Sequence, residues 1–202
     1  MSAPSPAALA GVRVIEMGQL IAGPFCAKTL GDFGAEVIKI EPPGAGDPLR
    51  NWRLLQHGTS VWWQVQSRNK KSVALDLRAA EGQDIARRLI AEADVLIENF
   101  RPGTLEGWGM SPAELHAQNP GLVIARISGY GQSGPYRDLP GFGVVGEAMG
   151  EAGAMAGGGG AAEGEQGSGR QVHVADGTDG EQGVGVACGD HVAERRGEGD
   201  RQ

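Results

Sequence analysis

The chain lacks the features of several protein classes. Only two cysteines are present, Cys26 and Cys188, and they offer no disulfide framework. No stretch approaches the roughly 20 consecutive apolar residues of a membrane span, and the N-terminus has neither the basic nor the apolar region of a signal peptide. These absences predict a cytoplasmic protein without a membrane partner.

Positive charge is also scarce. The net charge is −7, from 25 acidic and 18 basic residues, and residues 151–202 hold ten of the acidic and four of the basic ones. The first 150 residues therefore carry 15 acidic against 14 basic residues, a net charge of −1. Binding to nucleic acid requires a net basic face, so we expect no nucleic-acid partner.

Large hydrophobic residues are nearly absent from residues 151–202. This segment contains fifteen of the 35 glycines and no Ile, Leu, Phe, Trp, Tyr, Lys, Pro or Asn, so it cannot fill a core. The sequence predicts a flexible N-terminus over residues 1–8, an α/β region over 9–150, and a Gly/Ala/acidic low-complexity tail over 151–202. The amino-acid composition changes abruptly at Gly150. Reading a GC-rich gene in the wrong frame would produce such a change. We expect the tail to be disordered or frameshifted and the α/β region to be truncated.

A βαβ unit occupies residues 12–47. Short apolar runs around Val14 and Val37 are typical of strands buried on both faces, and a glycine-rich loop and a helix lie between them. Pro24 is expected at the first helical position. Pro24 and Phe25 stand where a phosphate loop needs lysine and Ser/Thr, and the dinucleotide motif G-x-G-x-x-G is absent. Neither kind of nucleotide site is therefore indicated.

A second set of elements follows. The spacing predicts a strand over residues 73–77 after a basic turn, an amphipathic helix over 79–92, and buried strands over 95–97 and 122–127. Ser111 and Glu114 form a capping box at the start of a further helix. These elements predict an α/β fold with a parallel sheet, in which ligands bind at the carboxyl ends of the strands.

The loop sequences, in this order, resemble the family III CoA-transferases of the CaiB/BaiF type. The matching pieces span about residues 9–150 and are LAGVRVIEMGQLIAGPFCAKTLGDFGAEVIKIE, GAGDPLR, SRNKKS, DVLIENFRPG and ARISGYGQSGPYRDLPGFG. The resemblance implies a Rossmann-like large domain joined to a smaller one. It also implies interlocked homodimers, an assembly that we do not expect of a truncated chain.

The resemblance further implies that four segments contact coenzyme A. They comprise Gln19, Leu20, Ile21 and Ala22 after the first strand; Asn69, Lys70 and Lys71 in the basic cluster; Asn99, Phe100 and Arg101; and Gly129 and Tyr130. Lysines and backbone N–H groups suit the phosphates, and aromatic rings suit the adenine or pantetheine.

The implied reaction moves CoA between an acyl-CoA and a small carboxylic acid through an aspartyl acyl anhydride. By position, the aspartate falls near Asp176 or Asp179. Glycines at positions 177 and 180 disfavour the helix expected there, each by roughly 1 kcal/mol. No catalytic residue is therefore predicted, although Asp176 is a candidate by position. We expect the chain to be inactive or to bind CoA only.

Alternatives remain open. The same resemblance admits an acyl-CoA racemase, and the composition admits a non-enzymatic interaction protein with an acidic disordered tail. A nucleophilic Cys26 acting with His57 lacks any surrounding motif. A metal site built from His173, Cys188 and His191 amounts to a single half-site, so no metal is expected.

Overall fold

The computed structural model describes residues 7–141 and, beyond them, two strand backbones. The strands are β1 (Arg13–Glu16), β2 (Glu36–Glu41), β3 (Leu55–Gln56), β4 (Thr59–Ser60), β5 (Lys70–Ala74), β6 (Val95–Glu98), β7 (Val123–Ser128), β8 (Gln171–Ala175) and β9 (Val186–Ala187). The helices are α1 (Ala22–Asp32), α2 (Val61–Gln66), α3 (Ala80–Ala91), α4 (Thr104–Gly107) and α5 (Pro112–Gln118), with a 3-10 helix at Pro48–Asn51.

The main sheet has the order β5-β2-β1-β6-β7-β8-β9. Its first five strands are parallel, whereas β8 pairs antiparallel with β7, and β9 pairs antiparallel with β8. Numbered along the chain, the parallel strands lie in the order 3-2-1-4-5, the arrangement of dinucleotide-binding folds. The predicted α/β, Rossmann-like fold class is therefore confirmed.

Helices cover both faces of the sheet. Successive strand residues point to opposite sides, so each face carries apolar side chains that must be buried. Ile15, Met17 and Leu96 face one side, where they form a core with Ile90 of α3 and Leu115 of α5. The opposite side forms a second core, whose buried residues are Val14, Ala27, Ala35, Val37, Ile97, Ala125 and Ile127. This arrangement leaves the strand ends as the accessible edges of the parallel sheet.

Two boundaries differ from the sequence predictions. The strand predicted over residues 73–77 is instead β5, which begins at Lys70 because the extended chain there pairs with β2 and the Lys70 side chain enters the interior. Helix α1 begins at Ala22, so Pro24 is its third residue. The first four N–H groups of a helix have no intrahelical acceptor, which makes proline as acceptable there as at the first position.

The helix predicted over residues 79–92 is confirmed as α3, and the capping box of Ser111 and Glu114 is confirmed at α5. Within residues 151–202, the structure describes only the backbones of β8 and β9. Other residues of that segment lie outside the described part of the chain, as do residues 1–6 and 142–150. Among the described helices, none has the length and apolar character needed to cross a bilayer.

Candidate functional site

Three loops meet at the carboxyl edge of the parallel sheet and enclose a cavity of about 300 Å³. They follow β1, β6 and β7, the three adjacent strands at the centre and one side of the sheet. The lining residues are Gln19, Leu20, Ile21, Ala22, Asn99, Phe100, Arg101, Pro102, Ile127, Ser128, Gly129, Arg137, Leu139, Pro140 and Gly141. Of the twelve CoA contacts expected from the family resemblance, eight therefore line one cavity.

Asn99 fixes the first loop to the second. Its Oδ1 accepts a hydrogen bond from Gln19 N at 2.7 Å, and its Nδ2 donates to Gln19 O at 2.9 Å. Both polar atoms of the Asn99 side-chain amide are therefore hydrogen-bonded to the backbone of Gln19. Asn99 thus shapes the wall of the cavity by holding residue 19.

Gly18 and Gly23 allow the first loop to pass close to the start of α1. A Cβ added at Gly18 would lie 2.7 Å from Gly23 Cα and 3.1 Å from Asn99 Oδ1. Such distances are well inside van der Waals contact, so a side chain cannot be accommodated without displacement of the backbone. Glycine at this position is required by close approach and not by any phosphate-loop motif.

The second loop is held from beneath by a buried carboxylate. Glu98 Oε2 accepts a hydrogen bond from Phe100 N at 2.6 Å, and Glu98 Oε1 pairs with Arg126 Nε at 2.8 Å. Burial raises the pKa of Glu98 above its ordinary value, against the opposing effect of Arg126. The Phe100 ring meets the Trp108 ring edge-on, with 5.2 Å between centroids.

The third loop closes the cavity by folding back on itself. A Cβ added at Gly129 would lie 2.3 Å from Gly141 Cα, so residues 129 and 141 touch backbone to backbone. Ser128 Oγ donates to Gly131 O at 2.9 Å. Tyr130 packs its ring on Tyr136 at 5.9 Å between centroids, beside the cavity and not in its lining.

The charged residues that line the cavity, within the described part of the chain, are Arg101 and Arg137. Both are exposed, and no carboxylate is among the described lining residues. The cavity also borders the N-terminus of α1, which has no side-chain cap. Guanidinium groups and uncapped helix N–H groups favour anions, and the apolar residues of the lining favour a ligand with an uncharged part.

The basic cluster lies elsewhere. Asn69 and Lys71 stand at the beginning of β5, the amino edge of the sheet, where Asn69 Nδ2 donates to Asp32 Oδ1 at 2.9 Å and Lys71 pairs with Glu36. Lys70 has a side chain only 2% exposed, and its Nζ lies 2.7 Å from Glu16 Oε2 and donates to Pro24 O at 2.7 Å. The structure therefore does not bring these three residues to the cavity.

The candidate nucleophiles fall into two groups. Asp176 and Asp179 lie outside the described residues. Cys26 is half-buried, and burial together with the nearby Glu16 raises the pKa of its thiol, so the reactive thiolate is disfavoured. No cluster of three or more His, Cys, Asp or Glu residues suited to a metal ion occurs among the described residues.

Sequence reasoning missed a buried group of charges beside the first loop. Glu16 and Lys39 are paired in register across β1 and β2, and Lys39 Nζ lies 2.8 Å from Glu16 Oε1. Asp47 Oδ2 lies 2.9 Å from the same Nζ. A usable signal was present, because each of two apolar strand runs contains one charged residue, and the two charges are opposite.

The open, mostly parallel sheet with a cavity at its carboxyl edge defines a Rossmann-like α/β domain. The model of the CoA-transferase family III matches residues 9–201, and the chain belongs to this family. It is 59% identical over 146 residues to the succinyl-CoA–D-citramalate CoA-transferase of Chloroflexus aurantiacus, a match covering 72% of this chain and 36% of that protein.

Other matches are to proteins of the same family. Human succinyl-CoA:glutarate CoA-transferase is 39% identical over 142 residues, which cover 70% of this chain and 32% of that protein. The crystal structure of a CAIB/BAIF family protein from Brucella suis superposes with a TM-score of 0.68 at 38% identity, covering 72% of this chain and 40% of that one. The chain spans about a third of the length of the curated relatives it matches.

Proposed function

We propose that this chain binds coenzyme A or its thioesters in the cavity at the carboxyl edge of the sheet. One observation carries the proposal: the cavity joins two arginines and an uncapped helix N-terminus to an apolar wall, with no carboxylate among its described lining residues. CoA combines these needs in one molecule, because its phosphates are anionic whereas its adenine and pantetheine offer apolar surface. A volume of about 300 Å³ suits a part of CoA and not the whole molecule.

Each wall of the cavity has a role in this proposal. Arg101 and Arg137 meet phosphate oxygens through charge-assisted hydrogen bonds. Leu20, Leu139 and Ile127 pack against the uncharged part of the ligand. The basic cluster at residues 69–71 takes no part, because Lys70 is neutralised by Glu16 and the other two residues stand at the opposite edge.

The reaction that we infer for the family site is transfer of CoA between an acyl-CoA and a small carboxylic acid. The relatives' names support succinyl-CoA as donor and D-citramalate, L-malate or glutarate as acceptor. An aspartate oxygen attacks the thioester carbonyl, the C–S bond breaks, and CoA leaves as the thiolate, which gives an aspartyl acyl anhydride. The thiolate then attacks the aspartyl carbonyl of the anhydride. This releases the donor acid and forms an aspartyl-CoA thioester. The acceptor carboxylate attacks the carbonyl of that thioester, the C–S bond breaks, and CoA leaves again as the thiolate, which gives a second anhydride. Attack of the thiolate on the acceptor carbonyl of this anhydride forms the acceptor-CoA thioester and restores the aspartate carboxylate.

We further propose that this chain binds CoA without turnover. The support is chemical: the aspartate of this mechanism needs a helix after its strand, and although β8 precedes Asp176, residues 177–185 contain four glycines, each of which disfavours a helix. Asp176 is the positional candidate that this proposal excludes as a nucleophile. Asp179 is excluded for the same reason.

Calorimetric titration of the full chain with CoA and acetyl-CoA tests binding, and a transfer assay from succinyl-CoA to a panel of carboxylic acids tests turnover. The proposal predicts that the wild type binds CoA saturably. A variant carrying Arg101→Ala and Arg137→Ala together should bind CoA at least tenfold more weakly, a loss of about 1.4 kcal/mol. Exposed Arg88→Ala on α3 is the matched control and should bind as the wild type does. Absence of binding by the wild type would overturn the proposed function. Turnover that is lost in Asp176→Ala or Asp179→Ala would overturn the absence of catalysis.

A further inference from the structure

Leu20, in the wall of the cavity, has a backbone conformation that non-glycine residues rarely adopt. Its φ is +60°, in the left-handed region where a Cβ crowds the following carbonyl. The residue persists there although a glycine would adopt the same turn without strain. Strain of this kind is held in place by surrounding contacts, and its occurrence beside a ligand cavity points to a functional constraint.

Those contacts fix three consecutive residues of the loop. Lys39 Nζ donates to Gly18 O at 2.6 Å, Asn99 takes both backbone groups of Gln19, and Asp47 Oδ1 accepts from Leu20 N at 3.0 Å. Three side chains from three separate parts of the chain therefore hold residues 18–20. Of the three, Asn99 itself lines the cavity, whereas Lys39 and Asp47 do not.

Asp47 is in turn fixed on every side. Its Oδ1 also accepts from Leu49 N at 2.9 Å, at the start of the 3-10 helix, and its Oδ2 lies 2.9 Å from Lys39 Nζ. Its own N–H donates to Glu41 Oε2 at 2.9 Å. The Asp47 and Lys39 side chains are each 1% exposed, and Glu16 is fully buried. Because buried charges tolerate little displacement from their partners, Asp47 has one position and Leu20 N has one acceptor.

We propose that Asp47, anchored by Lys39, is a positioning residue that sets the conformation of Leu20 before the ligand arrives. This inference rests on the proposed binding of CoA. Asp47 acts through the Leu20 N–H, so that residues 19–22 present a preformed edge to the ligand and little free energy of binding is spent on ordering the loop. The acidic residue of the G-D-P sequence thereby serves the cavity without touching its contents.

Two substitutions at one position separate this role from a general structural one. Asp47→Asn keeps an oxygen that accepts from Leu20 N, whereas Asp47→Ala removes it, and both lose the charge pair with Lys39. Both variants should therefore melt at lower temperature than the wild type. Measured at a temperature where each is folded, Asp47→Ala should bind CoA about tenfold more weakly, the value of one hydrogen bond, and Asp47→Asn should bind within about threefold of the wild type.

Asp94→Ala is the matched control. Asp94 Oδ2 accepts from Arg13 N at 2.7 Å at the amino edge, so its loss removes a comparable bond far from the cavity, and CoA affinity should not change. Equal affinities for Asp47→Ala and the wild type would overturn the inference while leaving the proposed function intact, and so would an Asp47→Asn variant as weak as Asp47→Ala. Failure of the wild type to bind CoA would overturn the proposed function and the inference with it.

A second measurement does not depend on the folding of a variant. Hydrogen exchange at the Leu20 amide of the CoA-free wild type should be slow, and addition of CoA should change it by less than about threefold, because the bond to Asp47 is already formed. An amide that exchanges like an exposed loop residue, and is protected only when CoA is present, would show that the ligand orders the loop and would overturn the inference.

Discussion

Glu41, at the end of β2, concentrates several hydrogen bonds on one carboxylate. Arg50 donates to both of its oxygens at 2.7 and 2.8 Å, and Ser72 Oγ and Asp47 N donate to it as well. Burial alone would raise the pKa of Glu41, but these donors outweigh it and lower the pKa from 4.5 to about 2. This residue therefore couples the stability of the fold to pH.

The expected pH dependence follows from the direction of that shift. Because the unfolded chain binds the proton first as pH falls, the contribution of Glu41 is fully present above pH 4.5 and is lost on approach to about pH 2. Urea unfolding of the wild type and of Glu41→Gln should differ by up to about 3 kcal/mol at pH 7. The difference should shrink steadily below pH 4.5. A difference that stays constant down to pH 2 would contradict the shift.

Lys70 and Lys71 are neighbours with opposite environments, which makes them a matched pair. The Lys70 side chain is 2% exposed against Glu16, whereas the Lys71 side chain is 71% exposed against Glu36. Burial lowers the pKa of Lys70, and the charge of Glu16 opposes this. Lys70→Met leaves a buried carboxylate oxygen unpaired and should lower the free energy of unfolding by about 3–5 kcal/mol. Lys71→Met should change it by less than about 1 kcal/mol.

Lys71 also tests where CoA binds. Because Lys71 stands at the amino edge of the sheet, Lys71→Met should bind CoA as tightly as the wild type in calorimetry. The family resemblance leads to the opposite expectation, in which the basic cluster contacts the ligand. A loss of affinity in Lys71→Met without a loss of stability would favour the resemblance and contradict the placement of the site proposed here.

At the scale of elements, the turn from β1 into α1 depends on two glycines in contact. A Cβ at Gly18 would lie 2.7 Å from Gly23 Cα, so Gly18→Ala should destabilise the fold by about 1–3 kcal/mol through overpacking. Gly107→Ala is the control, since no heavy atom outside its chain neighbours and its own helix backbone lies within 4 Å of its added Cβ, and stability there should hold or rise by up to about 1 kcal/mol. Urea midpoints followed by circular dichroism would report both. Equal midpoints would show that the loop after β1 can yield.

Sequence patterns predicted the elements whose signals are local. Helix α5 was recognisable from Ser111 and Glu114, and α3 from its apolar period, because capping and amphipathicity act within a few residues. The start of β5 was not recognisable. A lysine at its first position is typical of a solvated turn. Its partner, Glu16, is distant in sequence, so the buried ion pair between them is visible only in the folded structure. Pairings that depend on strand order and register cannot be derived from local pattern alone.

At the scale of the molecule, the described residues form an α/β fold with a mostly parallel main sheet, whose carboxyl edge carries a cavity. The family match extends over residues 9–201, and the chain corresponds to about a third of its curated relatives. The meeting of three loops at the cavity could be predicted, since parallel strands end at one edge. Arg137 and Leu139 were missed, because the third loop folds back through the contact of Gly129 with Gly141, which no sequence motif indicates.

The location of the ligand site is tested most directly by a titration of the ¹⁵N-labelled full chain with CoA, followed through backbone amide chemical shifts. The proposed function predicts saturable shifts concentrated at residues 19–22, 99–102 and 128–141, with those of residues 69–71 unchanged. Shifts centred on residues 69–71, or none at saturating CoA, would contradict it.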